Sequence, residues 1–341
     1  MNTEKTVDFS IIIPVYNTPP ADLKRCVGKI LGNEHASWEV IFVDDGSCEE
    51  TLQCLKKISG KVPQVRVFYQ AHGGAAAARN FGTQQAAGRY VTYVDSDDYL
   101  LEGALDEMKK LLDQEDPDLL IARIVRTKGD WSTRMTGAHF QAGGEEIIDR
   151  LRKYYLTFEK GPFRDEESWI NRAPHARFLK REIAQCTPYR PQLLVGDDMI
   201  WNFDILHPVS RIVVSDAPVY FYRLVIGSVT QRFHENLPEE MHALLQAYRD
   251  EIHGWNRSLQ PYFEPAAMEH FSGSMRMYVF SGPEETRWQR FVQVMDLPDW
   301  KQIFRDLDLK LVHGRFRITG ILGKLRMKRC LYLVYRMHYK K

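Results

Sequence analysis

Two short acidic runs are the first candidates for chemistry in this chain of 341 residues. Val43-Asp44-Asp45-Gly46-Ser47 and Val94-Asp95-Ser96-Asp97-Asp98 each follow a stretch of apolar, β-prone residues. Carboxylates gathered at one crevice repel one another unless a cation or hydrogen-bond donors occupy it. Hard oxygen donors with open positions suit Mg²⁺ or Mn²⁺ shared with the phosphates of a substrate. Asp95 and Asp97, one residue apart, can present two carboxylates on one side of a tight turn. Taken alone, Asp97 and Asp98 would serve as well to cap a following helix.

The elements that must hold these runs are legible up to about residue 126. Strands are expected at Phe9–Pro14, Trp38–Val43, Val65–Tyr69, Arg89–Val94 and Asp118–Val125. Helices are expected between them, over Pro20–Leu31, from a Ser47 cap to Ile58, over Ala75–Ala87 and over Gly103–Leu112. Short apolar strands alternating with helices imply a mostly parallel sheet covered on both faces. In such a sheet ligands sit beyond the carboxyl ends of the strands, where both acidic runs emerge. Gly73-Gly74-Ala75-Ala76-Ala77-Ala78-Arg79-Asn80 opens the third crossover helix. Its small residues would let backbone approach an anion, or simply let the helix pack tightly on the sheet. Arg79 could pair with a phosphate or with one of the acidic runs.

After Thr127 the alternation stops. A helix is expected near Glu145–Tyr155 and another over Asp197–Leu206. Short strands are expected at Arg211–Val214 and Val219–Arg223, and mainly helix from about Pro238, punctuated by Pro261, Pro283 and Pro298. The eleven histidines form no HExxH or i,i+4 pair, and read mostly as surface or satisfied core residues. No GxSxG elbow is present. Trp169 and Trp201 could stack on a sugar, though large aromatics are commonly core.

Four motifs taken together resemble the family 2 glycosyltransferases: Ile12-Ile13-Pro14-Val15-Tyr16-Asn17, Val43-Asp44-Asp45-Gly46-Ser47, Ala78-Arg79-Asn80-Phe81-Gly82 and Val94-Asp95-Ser96-Asp97-Asp98. Weaker resemblance continues through Arg177-Phe178-Leu179-Lys180-Arg181, Gly196-Asp197-Asp198 and Tyr220-Phe221-Tyr222-Arg223, then Gly227-Ser228-Val229-Thr230. The resemblance implies an α/β GT-A nucleotide-sugar domain, an inverting mechanism and a divalent cation, Mn²⁺ or Mg²⁺. It puts Pro14, Tyr16 and Asn17 in a loop around the nucleotide, and Asp44, with Asp45 beside it, at the base. It puts Arg79 near the nucleotide, and Asp95, Ser96 and Asp97 at the ribose and the metal–diphosphate, with Asp95 and Asp97 as metal ligands. Asp198, after Asp197, takes the place of the general base, although Asp197 is one methylene shorter than the family's Glu. Arg223, Ser228 and Thr230 would belong to a loop over the diphosphate. His72 stands where many relatives carry Asn. The implied organisation is a GT-A domain over 1–232, with a nucleotide half 1–126 and an acceptor half 127–232, then a helical region 233–341.

Composition frames these readings. The 46 Lys and Arg nearly balance the 45 Asp and Glu, for a net charge of +1. Ten of the bases fall between Lys310 and Lys341, where there is no acid, which leaves 36 against 45, or −9, on the rest. A basic tail on an acidic body points to an anionic partner. Tail bases interleave with Phe316, Ile318, Ile321, Leu322, Leu325, Leu331, Leu333 and Val334, a pattern suited to the interface of an anionic bilayer. Packing back on the body and binding nucleic acid compete with that; no nucleic-acid motif accompanies the tail. The first residues do not read as a signal peptide, and five cysteines without CxxC spacing imply a reduced compartment and no structural zinc. The expected protein is therefore cytoplasmic and peripheral on the inner face of the membrane. It would pass a sugar from a nucleoside-diphosphate sugar, a UDP-sugar by expectation, to a glycan or lipid-linked glycan, with no nucleic-acid partner. A sugar-phosphate nucleotidylyltransferase would need a GxGxR-type loop after the first strand, which is absent. A non-catalytic nucleotide-sugar-binding or scaffold protein would have little use for Asp44, Asp95, Asp97 and Asp198 together.

Overall fold

The computed structural model describes residues 7–127, 140–157, 172–223, 233–255 and 257–339. The chain separates into two compact units. The first carries the whole sheet; the second holds Lys153–Glu159, Leu193–Gly196 and the helices that follow residue 225.

In the first unit, β1 (Phe9–Val15), β2 (Trp38–Asp44), β3 (Val65–Tyr69) and β4 (Tyr90–Tyr93) alternate with α1 (Pro20–Ile30), α2 (Glu49–Ser59) and α3 (Gly74–Gln84). The remaining strands are β5 (Tyr99–Leu100), β6 (Leu119–Thr127), β7 (Phe140–Gly143), β8 (Arg177–Lys180) and β9 (Ile212–Arg223). Helices α4 (Ala104–Glu115), α5 (Glu145–Thr157), α6 (Arg181–Cys186) and α7 (Asp197–Asp204) complete the chain up to residue 223. The sheet order is β3-β2-β1-β4-β8-β6-β9-β5, with β7 beside β9. Strands β3, β2, β1 and β4 pair in parallel, as do β6 and β9. β1 and β2 are buried at every position, which is why they read as unbroken apolar runs.

The connection order reverses at β1: the chain runs outward through β2 and β3, then returns to place β4 on the other side. Loops leaving β1, β2 and β4 therefore share one rim, at the point where such sheets bind ligands. Pro14 suits this rim. Within β1 only Phe9–Ile12 pair with β4, so the missing N–H of Pro14 costs no bond to β4.

Three expectations need correction. Ser47 does not cap α2; its hydroxyl accepts the Asn17 N–H at 2.9 Å, and Cys48 is the cap residue without a side-chain bond. The two short strands after Arg211 are one, β9. Pro218, between the two expected strands, pairs with Arg123 where the β6–β9 register shifts, and an irregularity tolerates a residue without an N–H. Asp97 and Asp98 cap no helix, because β5 follows them and α4 begins only at Ala104. Gly227, Ser228, Thr230 and Trp169 lie outside the described residues.

The second unit is helical: α8 (Leu237–Trp255), a 3₁₀ segment Arg257–Tyr262 that contains Pro261, α9 (Phe263–Ser274), then a π-helical turn Met275–Phe280. Helices α10 (Arg287–Asp296), α11 (Pro298–Asp306), α12 (Gly314–Lys324) and α13 (Lys328–His338) follow. Phe271 meets Trp300, Phe304 and Tyr335 edge-on at 5.1, 5.0 and 5.9 Å. The buried Arg290 donates to the carbonyls of Tyr278, Val279 and Pro283, satisfying acceptors that the end of the π-turn leaves over. The basic tail is thus partly folded into this unit: Leu331 and Tyr335 are buried, while Ile318, Leu325 and Leu333 are exposed. Among the described residues no helix is long and apolar enough to cross a membrane.

Gly82 sets how closely α3 approaches the sheet. A Cβ there would lie 2.5 Å from Ile12 Cγ2 and 3.1 Å from Val43 Cγ2. Gly82→Val must therefore push α3 off β1 and β2, and is expected to destabilise the fold by about 2–3 kcal/mol. Urea unfolding monitored by circular dichroism measures this; an unchanged midpoint would refute the close packing.

Candidate active site

The site grows from the rim of β1, β2 and β4. Asp44, at the end of β2, is almost wholly buried. Its Oδ2 accepts the Gly46 and Ser47 N–H groups at 3.2 Å each, and Oδ1 is buried with no hydrogen-bond partner. A buried acceptor without a donor is costly, so a ligand N–H is well placed to satisfy it. Gly46, at φ +81°, makes the tight turn that returns its own and the next N–H to that carboxylate.

Asp45 turns the other way. Its carboxylate accepts Gly73 N at 2.7 Å, Gly74 N at 2.8 Å and Gln70 Nε2 at 2.8 Å, and His72 Nδ1 lies 2.8 Å from it. Both oxygens are engaged in shaping the entry to α3, where an anion also meets the positive end of the helix. The same His72 stacks on Tyr16 with ring centroids 4.3 Å apart, and Tyr16 remains half exposed. Asn17, at φ +52°, accepts the Cys48 N–H at 2.8 Å and so ties the β1 loop to the start of α2.

Beyond β4, Asp95, Asp97 and Asp98 place carboxylate oxygens within 4.8 Å of one another. Asp98 is buried and accepts the Tyr220 hydroxyl at 2.7 Å and the Arg223 N–H at 2.8 Å. The Tyr220 oxygen in turn accepts the Asp95 N–H at 3.2 Å. Burial, then the neighbouring Asp95, pushes Asp98 up to about 7 despite those two bonds. Asp97 is exposed and is raised by desolvation and by Asp95. Ser96 is turned inward to Thr18, with hydroxyl oxygens 2.6 Å apart. The guanidinium of Arg223 bonds Asp22 at 2.6 Å, so Arg223 reaches this cluster through its backbone.

Arg79 joins the cluster to α7. It is 5% exposed, donating to Asp95 Oδ1 at 3.0 Å and to Asp198 Oδ1 at 3.2 Å, with Asp197 Oδ2 at 3.9 Å. Its guanidinium also lies over the Tyr189 ring, 5.2 Å from the centroid. Tyr189 stacks on Trp201 at 4.7 Å, and Trp201 is fully buried, so this tryptophan supports the floor and is closed to a sugar.

His175 was not singled out by sequence. It lies with Nε2 3.1 Å from Asp95 Oδ2, buried, and stacks on Tyr220 at 4.5 Å. Burial would raise Asp95, but His175 and Arg79 together hold it well below the usual carboxylate range. Asp197 and Asp198 are raised: burial is the first cause for both, joined by Asp198 for Asp197 and by Asp95 for Asp198, against the pull of Arg79. Ala176, at φ +56°, is a strained position next to His175, and this backbone outlier was not visible in the sequence.

Three carboxylates, of Asp95, Asp197 and Asp198, thus face one buried guanidinium, and Asp97 and Asp98 add to Asp95 on its far side, an excess of negative charge that a divalent cation at Asp95, Asp97 and Asp98 would offset. Hard oxygen donors and the raised Asp97 and Asp98 both fit such an ion.

Comparison with known proteins bears on this site. A family model described as Glycosyl transferase family 2 matches residues 10–187. The uncharacterized glycosyltransferase YibD of Escherichia coli is 31% identical over 237 residues, 66% of this chain and 64% of its own length. The chain therefore spans just under two thirds of that relative. The fold is similar to S. aureus TarS 1–349 in complex with UDP-GlcNAc, with TM-score 0.67, 16% identity and coverage of 97% and 91% of the two chains. It is also similar to the mannosyltransferase PcManGT of Pyrobaculum calidifontis in complex with GDP-Man and Mn²⁺, with TM-score 0.52, 14% identity and coverage of 99% and 89%.

Metal-free stability should depend on pH through Asp98 and, in the same direction and window, through Asp197, which burial and Asp198 also push up to about 7. Folded Asp98 keeps its proton to about 7, whereas an unfolded aspartate loses it near 3.8. The native state holds the extra proton between those values, so stability falls as pH rises through that window and stays low above it. The slope contributed is about 1.4 kcal/mol per pH unit. Asp95 acts oppositely, but only in strong acid, because its folded value is depressed. Thermal unfolding from pH 5 to 8 should show the decline in EDTA and a shallower one in Mn²⁺, where only the Asp197 share remains. A flat metal-free profile would contradict the assignment.

Proposed function

Because the chain belongs to glycosyltransferase family 2, we propose that it transfers a sugar from a nucleoside-diphosphate sugar, with UDP as carrier, to a glycan hydroxyl with inversion. The observation that carries this reading is the Arg79 bridge, which joins a strand-end acid of the donor side to Asp198 on α7.

On the donor side, the unpartnered oxygen of Asp44 accepts an N–H of the base, and the half-exposed Tyr16 offers its ring to the same base. Pro14 and Asn17 shape the loop that carries Tyr16. Asp95, Asp97 and Asp98 would hold Mn²⁺ or Mg²⁺, which supplies positive charge against the departing diphosphate. Nucleotide sugars bound to TarS and PcManGT, the latter with Mn²⁺, support a donor of this class.

On the acceptor side, inversion is a single displacement, so the attacking hydroxyl needs a base opposite the leaving group. Asp198 takes that role: burial raises it toward the range where a carboxylate removes a hydroxyl proton readily. Arg79 fixes its orientation, and Asp197 stands behind it as a second acid. The acceptor is proposed to be a lipid-linked glycan of surface-polysaccharide assembly, met at the cytoplasmic face of a membrane. The charge of the basic tail supports that setting. The catalytic region is proposed to be residues 1–232 and the membrane-directed region 233–341.

Asp198→Asn is expected to lower the turnover of transfer by about 10²- to 10⁴-fold. Mn²⁺-dependent UDP binding, followed by calorimetry, should stay within about threefold, because the base acts on the acceptor. Transfer near the wild-type rate would sink the assignment, and loss confined to Asp197→Asn would move the base to Asp197.

A further inference from the structure

The outward faces of α12 and α13 carry one pattern twice. On α12 it reads Arg317, Ile318, Ile321, Lys324, Leu325; on α13 it reads Arg329, Cys330, Leu333, Arg336, Met337. Each set falls at the same helical spacing, and every member is exposed, with Leu325 at 64% and Met337 at 70%. The opposite faces are committed to the fold. A Cβ at Gly323 would strike the Phe304 ring and one at Gly320 would meet Leu307, so α12 lies tight on α11 and the turn after it. On α13, Leu331 and Tyr335 are buried.

The bases divide the same way. Lys324 donates to the carbonyls of Arg305 and Leu307, and Arg326 and Lys328 pair with Asp296. Arg317, Arg329 and Arg336 make no ion pair among the described residues, and no acid occurs from Leu309 to the end of the chain. This face of the hairpin therefore shows three unneutralised guanidinium groups set among five exposed apolar side chains.

We propose that this face docks on an anionic bilayer. Ile318, Ile321, Leu325, Leu333 and Met337 enter the headgroup–acyl boundary, and Arg317, Arg329 and Arg336 meet lipid phosphates. A second copy of the hairpin would bring like charges together, and nucleic acid would satisfy the charge while leaving the apolar stripe in water. An anionic bilayer answers both features. The inference rests on the peripheral-membrane reading above and specifies its surface; it does not depend on the transfer chemistry.

The test uses the full chain and co-sedimentation with phosphatidylcholine vesicles, with and without phosphatidylglycerol. Wild-type protein is expected to bind the anionic vesicles. The Arg317→Gln, Arg329→Gln, Arg336→Gln variant should partition about a hundredfold less. The Leu325→Ser, Leu333→Ser, Met337→Ser variant should lose at least about tenfold, because it removes buried apolar area at unchanged charge. Both change exposed side chains, so melting temperature and UDP-sugar binding should match wild type. Absence of wild-type binding to anionic vesicles would overturn the proposal, as would an apolar variant that binds like wild type. Two further results would also overturn it: duplex DNA taking up the wild type while vesicles do not, or self-association lost in the variants without any vesicle binding. Failure of the wild type to bind any nucleotide sugar would count against the transferase reading and leave the lipid result standing.

Discussion

The structure of the site depends on one buried guanidinium. Arg79 is nearly inaccessible to water, and such a charge is tolerated only with partners of opposite sign in good geometry. It finds them on two separate elements, Asp95 after β4 and Asp198 on α7. Removing one partner of a buried pair commonly costs 3–5 kcal/mol, roughly, because the remaining charge is left uncompensated. The same arrangement raises Arg79 further above its already high pKa, against the opposing effect of burial, so it stays charged at any physiological pH. A permanent charge at this place lets several carboxylates approach one another without a ligand.

Much of the fold can be traced to what supports that contact. Gly82 lets α3 lie against Ile12 and Val43, which fixes the depth at which Arg79 enters the rim. Asp45 holds the first amides of α3 through Gly73 and Gly74. Tyr189 and Trp201 stack beneath the guanidinium. Tyr220 on β9 links Asp95 and Asp98 from the far side of the cluster, with His175 stacked against it. The acids are thus organised by neutral and cationic groups from β9, from α3 and from the segment before β8.

The half of the fold that was legible in the sequence is the half governed by local rules. β1 and β2 are buried throughout, so their apolar runs mark strands clearly, and strand ends mark the acids. The strands β5, β7 and β8 are two to four residues long, too short for any periodicity to show. Pro218 concealed the continuity of β9, because its tolerance depends on an irregular pairing with Arg123 that no local pattern encodes. In the site, Asp44, Asp95 and Asp97 stand out by type and position, whereas Asp198 and the roles proposed for all four rest on the family resemblance. His175 escaped because its significance is its contact with Asp95, eighty residues earlier in the chain. Arg79 stands out in the sequence, yet its choice between a phosphate and the acids is a matter of burial. Asp45 reads like Asp44 in sequence, and only the fold shows that it turns toward backbone amides. The tail shows the same division: its charge was plain, but which bases are consumed by Asp296 and by backbone carbonyls was not.

The claim that Arg79 couples the two sides of the site is tested most directly by a double-mutant cycle on folding stability, using Arg79→Met, Asp198→Asn and the combined variant. If the guanidinium is held jointly by Asp95 and Asp198, the two substitutions are strongly non-additive, with a coupling energy of about 1–3 kcal/mol. Additivity within about 0.5 kcal/mol would contradict the account.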